Sequence, residues 1–122
     1  MSRPAEQPEA PAGTRVQRIG GVTVLAPRGS LTGEAAASFA ELLAEEEVRT
    51  LGRLVVDLSG VAALDSIGLE SLVDAAGRLE DGGLTLRLCG ATSAIATILE
   101  ITGQHEAFDH HDDAEDAARS FL

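Results

Sequence analysis

The run at residues 54–58 constrains the possible folds of this chain more than any other stretch. Its sequence, LVVDL, is apolar almost throughout. Strands that are covered on both faces have such unbroken runs, whereas half-exposed strands alternate apolar and polar residues. A helical pattern begins eight residues later, with apolar side chains recurring three and four positions apart at Leu69, Leu72, Val73, Ala76 and Leu79. A buried strand followed by such a helix predicts a sheet with helices packed against it.

The same alternation of strand and helix patterns continues along the chain. Residues 14–19 and 22–26 flank Gly20-Gly21, which predicts a hairpin. We expect a loop at residues 29–33, helices over 34–49 and after Ser66, a strand at 84–89, a third helix capped by Thr92 or Ser93, and a last helix after Asp112. The predicted fold class is therefore α/β, in the order β-β-α-β-α-β-α-(β)-α. Its mixed, mostly parallel β-sheet would carry about four α-helices.

The first thirteen residues differ in composition from the rest of the chain. Residues 1–13 hold three of the four prolines, with Glu and Ala between them. Such a segment has too little apolar surface to offset the entropy of ordering, so we predict a disordered tail. Residues 14–122 then form one domain of common size. We also find no apolar run of the roughly 20 residues that a membrane span needs and no signal-peptide pattern, so we expect a cytoplasmic protein.

The charge of the chain bears on its partners. The net charge is −11, and all nine basic residues are Arg. An acidic surface repels phosphate backbones and anionic lipid, so we expect neither direct nucleic-acid binding nor membrane binding. A protein partner with a basic patch is the better expectation.

Sequence signatures of enzymes and metal sites are mostly missing. No strand is followed by GxxxxGK[ST] or GxGxxG, and no serine lies in G-x-S-x-G. His105, His110 and His111 lie close to the acidic run at 109–116, but a loop followed by a capped helix explains them better than a metal site does. The lone Cys89 lies in an apolar run, which predicts a buried thiol. We therefore expect no metal and no cofactor.

Ser66 is the most informative polar residue, because it stands where a predicted strand region passes into a helix. A serine at this point can act simply as the N-cap, with its hydroxyl accepting a backbone N–H. The unpaired N–H groups of a helix N-terminus also tolerate a phosphate, so Ser66 can equally be a phosphorylation site. The residues alone leave both interpretations open.

The sequence around Ser66 resembles a known family signature. Residues 55–61 read VVDLSGV and residues 64–69 read LDSIGL. This pattern is similar to that of STAS domains, and more narrowly to bacterial anti-sigma factor antagonists, in which Asp-Ser-[Ser/Thr]-Gly-Leu opens a helix after an apolar strand and a short link. The resemblance continues through residues 83–90 and 98–103, and covers about residues 14–122.

The resemblance implies a regulatory binding protein and not an enzyme. In that family, a partner serine kinase that is also the anti-sigma factor phosphorylates the serine, and the unphosphorylated form binds this kinase and frees the sigma factor. By position, Ser66 would be the phosphoacceptor, Gly68 would let the partner's backbone approach, and Leu69 would anchor the helix. The sequence leaves the oligomeric state open between a monomer and a weak dimer. The implied partner-binding residues are Ser30, Leu31, Thr32, Gly33, Asp65, Ser66, Ile67, Gly68 and Leu69.

Three departures from the family pattern bear on phosphorylation, and two alternative functions stay open. Ile67 stands where the family usually has Ser or Thr, Glu70 where small residues are frequent, and Thr32 where an Asp often lies near the phosphoacceptor. One alternative is a STAS subunit that is never phosphorylated, acting as a scaffold or as an accessory of a lipid-transport ATPase complex. The other is a small enzyme that uses Ser66 or Cys89 as its nucleophile.

Overall fold

The computed structural model describes residues 9–10 and 13–122, with only the backbone given for the first two. The strands are β1 (Glu9–Ala10), β2 (Thr14–Ile19), β3 (Val22–Ala26), β4 (Gly29–Leu31), β5 (Leu54–Asp57), β6 (Val61–Leu64), β7 (Leu86–Cys89) and β8 (Phe108–His111). The helices are α1 (Gly33–Arg49), α2 (Ser66–Asp81), α3 (Ser93–Ile101) and α4 (Ala114–Arg119), with a 3-10 turn at His105–Ala107.

The described strands form one large mixed sheet and one small parallel pair. The large sheet has the order β1-β2-β3-β5-β7-β8, antiparallel between β1, β2 and β3 and parallel from β3 to β8. The β2–β3 hairpin turns at Gly20 and Gly21, whose φ angles of 56° and 83° are positive at both central positions, as a type I′ turn requires. The predicted α/β class, mostly parallel sheet and hairpin are confirmed.

The sheet is covered on both faces, which explains the apolar run at residues 54–58. Leu54, Val56 and Leu58 belong to the larger core cluster, into which α1, α2 and α3 pack. Val55 points to the opposite face and packs in a smaller cluster with Cys89 and the α4 residues Ala117 and Ala118. Because both faces of β5 are buried, all of its apolar side chains have a place in the core.

Two short strands were not expected from the sequence. The predicted loop at residues 29–33 contains β4, which pairs in parallel with β6 at residues 61–64, separately from the large sheet. Strands of three and four residues carry too short a pattern for sequence periodicity to detect. This small pair carries the chain directly into the starts of α1 and α2.

The N-terminal tail lies mostly outside the described residues. Residues 1–8 and 11–12 are not described, so disorder there stays a prediction. Within the same segment, Glu9 and Ala10 form the short strand β1 and pair with Arg15 and Thr14, which the sequence did not lead us to expect.

Candidate functional site

Ser66 is the first residue of α2 and is exposed at the surface. Its hydroxyl forms no hydrogen bond with any residue in the part of the chain that the structure describes. The N-cap of α2 is Asp65, whose side chain accepts a hydrogen bond from the Gly68 N–H. The interpretation of Ser66 as a helix cap is therefore wrong, because the adjacent carboxylate already takes that position.

The Asp65 carboxylate caps two helices at once. One of its oxygens, Oδ1, accepts from the Gly68 N–H of α2 at 2.9 Å, and Oδ2 accepts from the Gly33 N–H of α1, also at 2.9 Å. Thr32 occupies the N-cap position of α1 but makes no side-chain cap hydrogen bond. Asp65 thus supplies a partner for one backbone donor at the start of each helix and fixes the two helix starts side by side.

Hydrogen bonding keeps the Asp65 side chain ionised. The Gly68 N–H, and after it the Gly33 N–H, hold the pKa of the Asp65 carboxyl below its usual value. Donors aimed at a carboxylate stabilise its charged form, and the two helix N-termini act in the same direction. Ser66 therefore lies directly beside a fixed negative charge.

The β4–β6 pair brings the two predicted halves of the site together. Ser30 and Leu31 lie opposite Ala63 and Leu64, and the Asp65 N–H donates to the Leu31 carbonyl at 3.4 Å. Residues 30–33 and 65–69 are therefore neighbours in space, as the family resemblance led us to expect. We call these two segments together the Ser66 surface.

Not every residue of the Ser66 surface is open to a partner. Ser30, Gly33, Ser66 and Ile67 are exposed, with Ile67 44% accessible. Thr32, Asp65 and Leu69 are half-buried, and Leu69 packs against the main core as an anchor of the helix. Leu31 and Gly68 are buried. The exposed members would make the first contact with any partner.

The structure gives Gly68 a different role from the one the resemblance implied. A Cβ at this position would lie 2.5 Å from the Leu31 carbonyl oxygen and 2.7 Å from Leu64 Cδ1. Both distances are far inside van der Waals contact. Glycine at position 68 thus lets the β4 backbone of this same chain lie close to α2. The packing of α2 on the β4–β6 pair explains why this position has no side chain.

The surroundings of Ser66 are acidic. Glu34 lies exposed in the first turn of α1, and Glu70 lies exposed one turn after Ser66 in α2. Together with Asp65, they give the surface three carboxylates, while the first turns of the two helices contain no basic residue. A further negative charge on Ser66 would meet repulsion from all three.

The residues considered for other chemistry lie in settings that do not favour it. Cys89 is buried, and burial together with the nearby Asp57 raises its pKa to about 12, so its nucleophilic thiolate is scarce at neutral pH. His105 and His110 stack at a centroid distance of 4.0 Å, and His111 Nδ1 lies 2.9 Å from an Asp116 carboxylate oxygen. Within the described residues, no three His, Cys, Asp or Glu side chains cluster as metal ligands.

The exposure of β6 is the feature of the site that sequence reasoning missed. Ala62 and Ala63 of this strand are both exposed beside the Ser66 surface, although the run Val-Ala-Ala-Leu has the composition of a buried segment. The sequence did contain one signal for this exposure. Ala62 and Ala63 lie just before Asp65 and Ser66, and residues this close in sequence to an exposed site share its surface.

Among the helices formed by described residues, none has the length and apolar character to cross a bilayer.

Comparison with known proteins places these features in context. The family model for the STAS domain matches residues 14–117. A search of curated protein sequences finds no match.

Solved structures share the fold at low sequence identity. An anti-sigma factor antagonist from Mycobacterium paratuberculosis is 23% identical, with a TM-score of 0.75 over 92% of this chain and 97% of that one. A serine-to-glutamate variant of RsbS from Moorella thermoacetica is 20% identical, with a TM-score of 0.73 over 88% and 92%. The phosphorylated form of the Bacillus cell fate determinant SpoIIAA is 13% identical, with a TM-score of 0.67 over 88% and 97%.

Proposed function

Because this chain belongs to the STAS domain family, we propose that it is an anti-sigma factor antagonist whose Ser66 surface binds an anti-sigma factor with serine kinase activity. Binding releases the sigma factor that the partner holds. Phosphorylation of Ser66 by the same partner ends binding. The protein acts in the cytoplasm as a ligand and substrate of the kinase, and is not itself an enzyme.

The exposed and unbonded hydroxyl of Ser66 is the observation that carries this proposal. A kinase must reach the hydroxyl oxygen; Ser66 is exposed, and its hydroxyl is engaged in no hydrogen bond with the described residues. The frame around it does not depend on the hydroxyl, because Asp65 supplies both helix-capping hydrogen bonds. Ser66 can therefore be modified without loss of a native contact.

Charge explains how such a modification would act as a switch. A phosphate adds about −1.5 to −2 charges at neutral pH. At Ser66 it would lie beside Asp65, with the exposed Glu34 and Glu70 on the same two helices, on a chain whose net charge is already −11. A partner surface shaped to the neutral hydroxyl would then face a desolvated dianion, and like charges or unpaired charges at an interface cost several kcal/mol. The fold is kept while the affinity falls.

The structures named as relatives support the proposal through what is said of them. The Mycobacterium paratuberculosis protein is an anti-sigma factor antagonist, and SpoIIAA has been solved in a phosphorylated form. Their similarity to this chain is one of fold. The step from a shared fold to the proposed function of this chain rests on the geometry of Asp65 and Ser66.

The phosphorylation half of the proposal has a direct test. The purified protein is incubated with ATP and each anti-sigma serine kinase of its own cell, and its intact mass is then measured. We expect one added phosphate for the wild type and none for Ser66→Ala. Ser59→Ala is the matched control, because Ser59 is also exposed and close in sequence, and this variant should gain the phosphate as the wild type does. Phosphate on Ser66→Ala, or none on the wild type with every kinase, contradicts the proposal.

Thr32 and Ile67 favour one alternative function. Thr32 lies at the start of α1, next to the Gly33 that Asp65 binds, and supplies no carboxylate there. A STAS subunit that is never phosphorylated, serving as a scaffold or as an accessory of a lipid-transport ATPase complex, would need neither that carboxylate nor a hydroxyl at position 67. Copurification with a transporter ATPase and not with a kinase would select this alternative.

A further inference from the structure

Three exposed aliphatic side chains form a patch at the end of the molecule away from Ser66. Val48, Leu51 and Leu84 are 74%, 84% and 41% accessible. The Leu51 N–H donates to the Val48 carbonyl at 3.2 Å, and a Cβ on Gly52 would lie 2.6 Å from Leu84 Cδ1. Leu84 therefore lies directly against the backbone next to Leu51, close to the end of α1 that carries Val48.

The backbone at Leu51 is unusual for its residue type. Its φ of +54° lies in the left-handed region, and Leu51 is the only described residue other than glycine with a positive φ. Glycine would adopt this conformation without strain. The leucine side chain gains little from burial in return, since it is mostly exposed. This conformation ends α1, where the Gly52 N–H donates to the Glu47 carbonyl at 3.1 Å, so the turn explains the backbone but does not require an exposed leucine side chain there.

A pocket adjoins this patch and shares Leu84 with it. The pocket has a volume of about 290 Å³, and Val73, Ala76 and Leu84 contribute apolar walls. Glu80 and Glu106 also line it, and no basic residue does. Within residues 13–122, neither of these glutamates forms an ion pair.

An arginine side chain fits this combination of surfaces. Its aliphatic stem packs on apolar walls, while its planar guanidinium offers several donors to carboxylates. A second copy of this chain is a poor occupant, because it would bring another −11 charges and the same two glutamates. We propose that this pocket and patch, the amino-edge surface, bind an arginine-containing apolar segment of a partner protein.

The amino-edge surface is separate from the Ser66 surface. Leu51, Leu84 and Glu106 precede β5, β7 and β8, so they lie at the amino end of the parallel strands, whereas Ser66 follows the carboxyl end of β6. Ser66 and Glu80 lie at opposite ends of α2, about 21 Å apart at 1.5 Å per residue. Two partners, or two parts of one partner, can therefore bind at the same time.

A peptide titration followed by NMR tests this proposal. The probe is a short peptide of alternating leucine and arginine, added to the ¹⁵N-labelled full chain. We expect saturable shifts at Gly77, Glu80, Leu84 and Glu106. A matched peptide with citrulline in place of arginine keeps the shape but loses the charge, and should bind at least about ten-fold more weakly. Equal binding of the two peptides would overturn the proposal.

Variants of the chain locate the binding and separate it from general charge attraction. The double variant Glu80→Gln/Glu106→Gln should weaken peptide binding at least about ten-fold. The control Glu34→Gln/Glu115→Gln removes the same charge elsewhere on the surface and should leave the affinity nearly unchanged. Equal effects of the two double variants would contradict the proposal. So would shifts at Leu51 and Leu84 that depend on protein concentration without peptide, since a second copy would then cover the surface. No kinase or ATP is needed, so the Ser66 proposal is tested independently.

Discussion

At the scale of single residues, Asp65 organises the Ser66 surface. It holds the starts of α1 and α2 with the two oxygens of one carboxylate, and both hydrogen bonds are 2.9 Å long. Ser66 is thereby relieved of any structural task, although it stands at a helix start where serine is a common cap. A residue without a structural task at an exposed helix start is suited to modification.

The Asp65 carboxylate predicts a specific pH dependence of stability. Its pKa is lowered in the folded state by the Gly68 and Gly33 N–H groups, below the unfolded value of about 3.9. The stabilisation is therefore complete above about pH 4 and is lost as the pH falls through the lower folded value. At neutral pH, we expect Asp65→Asn to unfold at a lower urea concentration than the wild type. In acid, this difference in unfolding midpoint should vanish.

Urea unfolding of both proteins over a pH series measures this difference. Glu70→Gln is the control, because Glu70 is an exposed carboxylate on the same helix without a hydrogen bond among the described residues. This variant should have an almost unchanged unfolding midpoint throughout. A wild-type advantage over Asp65→Asn that does not shrink as acid is added below the unfolded pKa of about 3.9 would contradict the assignment.

Residue-level prediction from sequence succeeded for positions and left the role of Ser66 open between a cap and a modified residue. The sequence led us to expect Ser66 at the start of a helix and Cys89 in the core, and both are there. Sequence alone could not assign the cap, since Asp65 and Ser66 are both good N-caps and only the backbone geometry distinguishes them. The second bond of Asp65, to Gly33, spans 32 positions and no local pattern reports it.

At the scale of elements, the packing of α2 on the β4–β6 pair positions the Ser66 surface. Gly68 lets the first turn of α2 approach the Leu31 carbonyl and the Leu64 side chain. The second glycine of the same helix, Gly77, is exposed, and a Cβ added to it would have no atom within 4 Å. Gly77 therefore has room for a side chain, whereas Gly68 has none.

Alanine at these two positions should change stability in opposite directions. Gly77→Ala is expected to stabilise the protein by about 0.5–1 kcal/mol, because alanine loses less backbone entropy in a helix. Gly68→Ala should instead destabilise it by about 1–3 kcal/mol, because the added methyl meets a backbone carbonyl that cannot move aside without shifting β4. Thermal and urea unfolding followed by circular dichroism measure both. A stabilising Gly68→Ala would show that α2 does not pack on β4 as closely as described.

The elements that sequence patterns predicted are those with the longest or purest patterns. The hairpin and the helices α1 and α2 have apolar spacing that repeats over several residues, and β5 lies in an unbroken apolar run. The β4–β6 pair was missed because its pairing joins segments about 30 positions apart, and three or four residues cannot define a period. That pair is what brings residues 30–33 beside 65–69. Because sequence patterns did not predict the pair, only the family resemblance predicted the contact between the two segments.

At the scale of the whole molecule, the fold places two surfaces at opposite ends of its parallel strands. The Ser66 surface lies where β6 and β4 end, and the amino-edge surface lies where β5, β7 and β8 begin. A strongly acidic chain of this kind attracts basic partners over its entire surface, so charge contributes to the rate of encounter more than to the choice of site. Local chemistry has to select the site: a neutral hydroxyl at one end and an apolar pocket at the other.

The most direct test of the central claim is the affinity of the proposed anti-sigma kinase partner for this protein with and without a phosphate on Ser66. Isothermal titration calorimetry with the unphosphorylated protein, the phosphorylated protein and Ser66→Ala measures it. We expect the unphosphorylated protein and Ser66→Ala to bind with similar affinity, and the phosphorylated protein to bind at least about ten-fold more weakly, because the phosphate adds charge beside Asp65. Undiminished binding of the phosphorylated protein, or no binding by any of the three, would contradict the account.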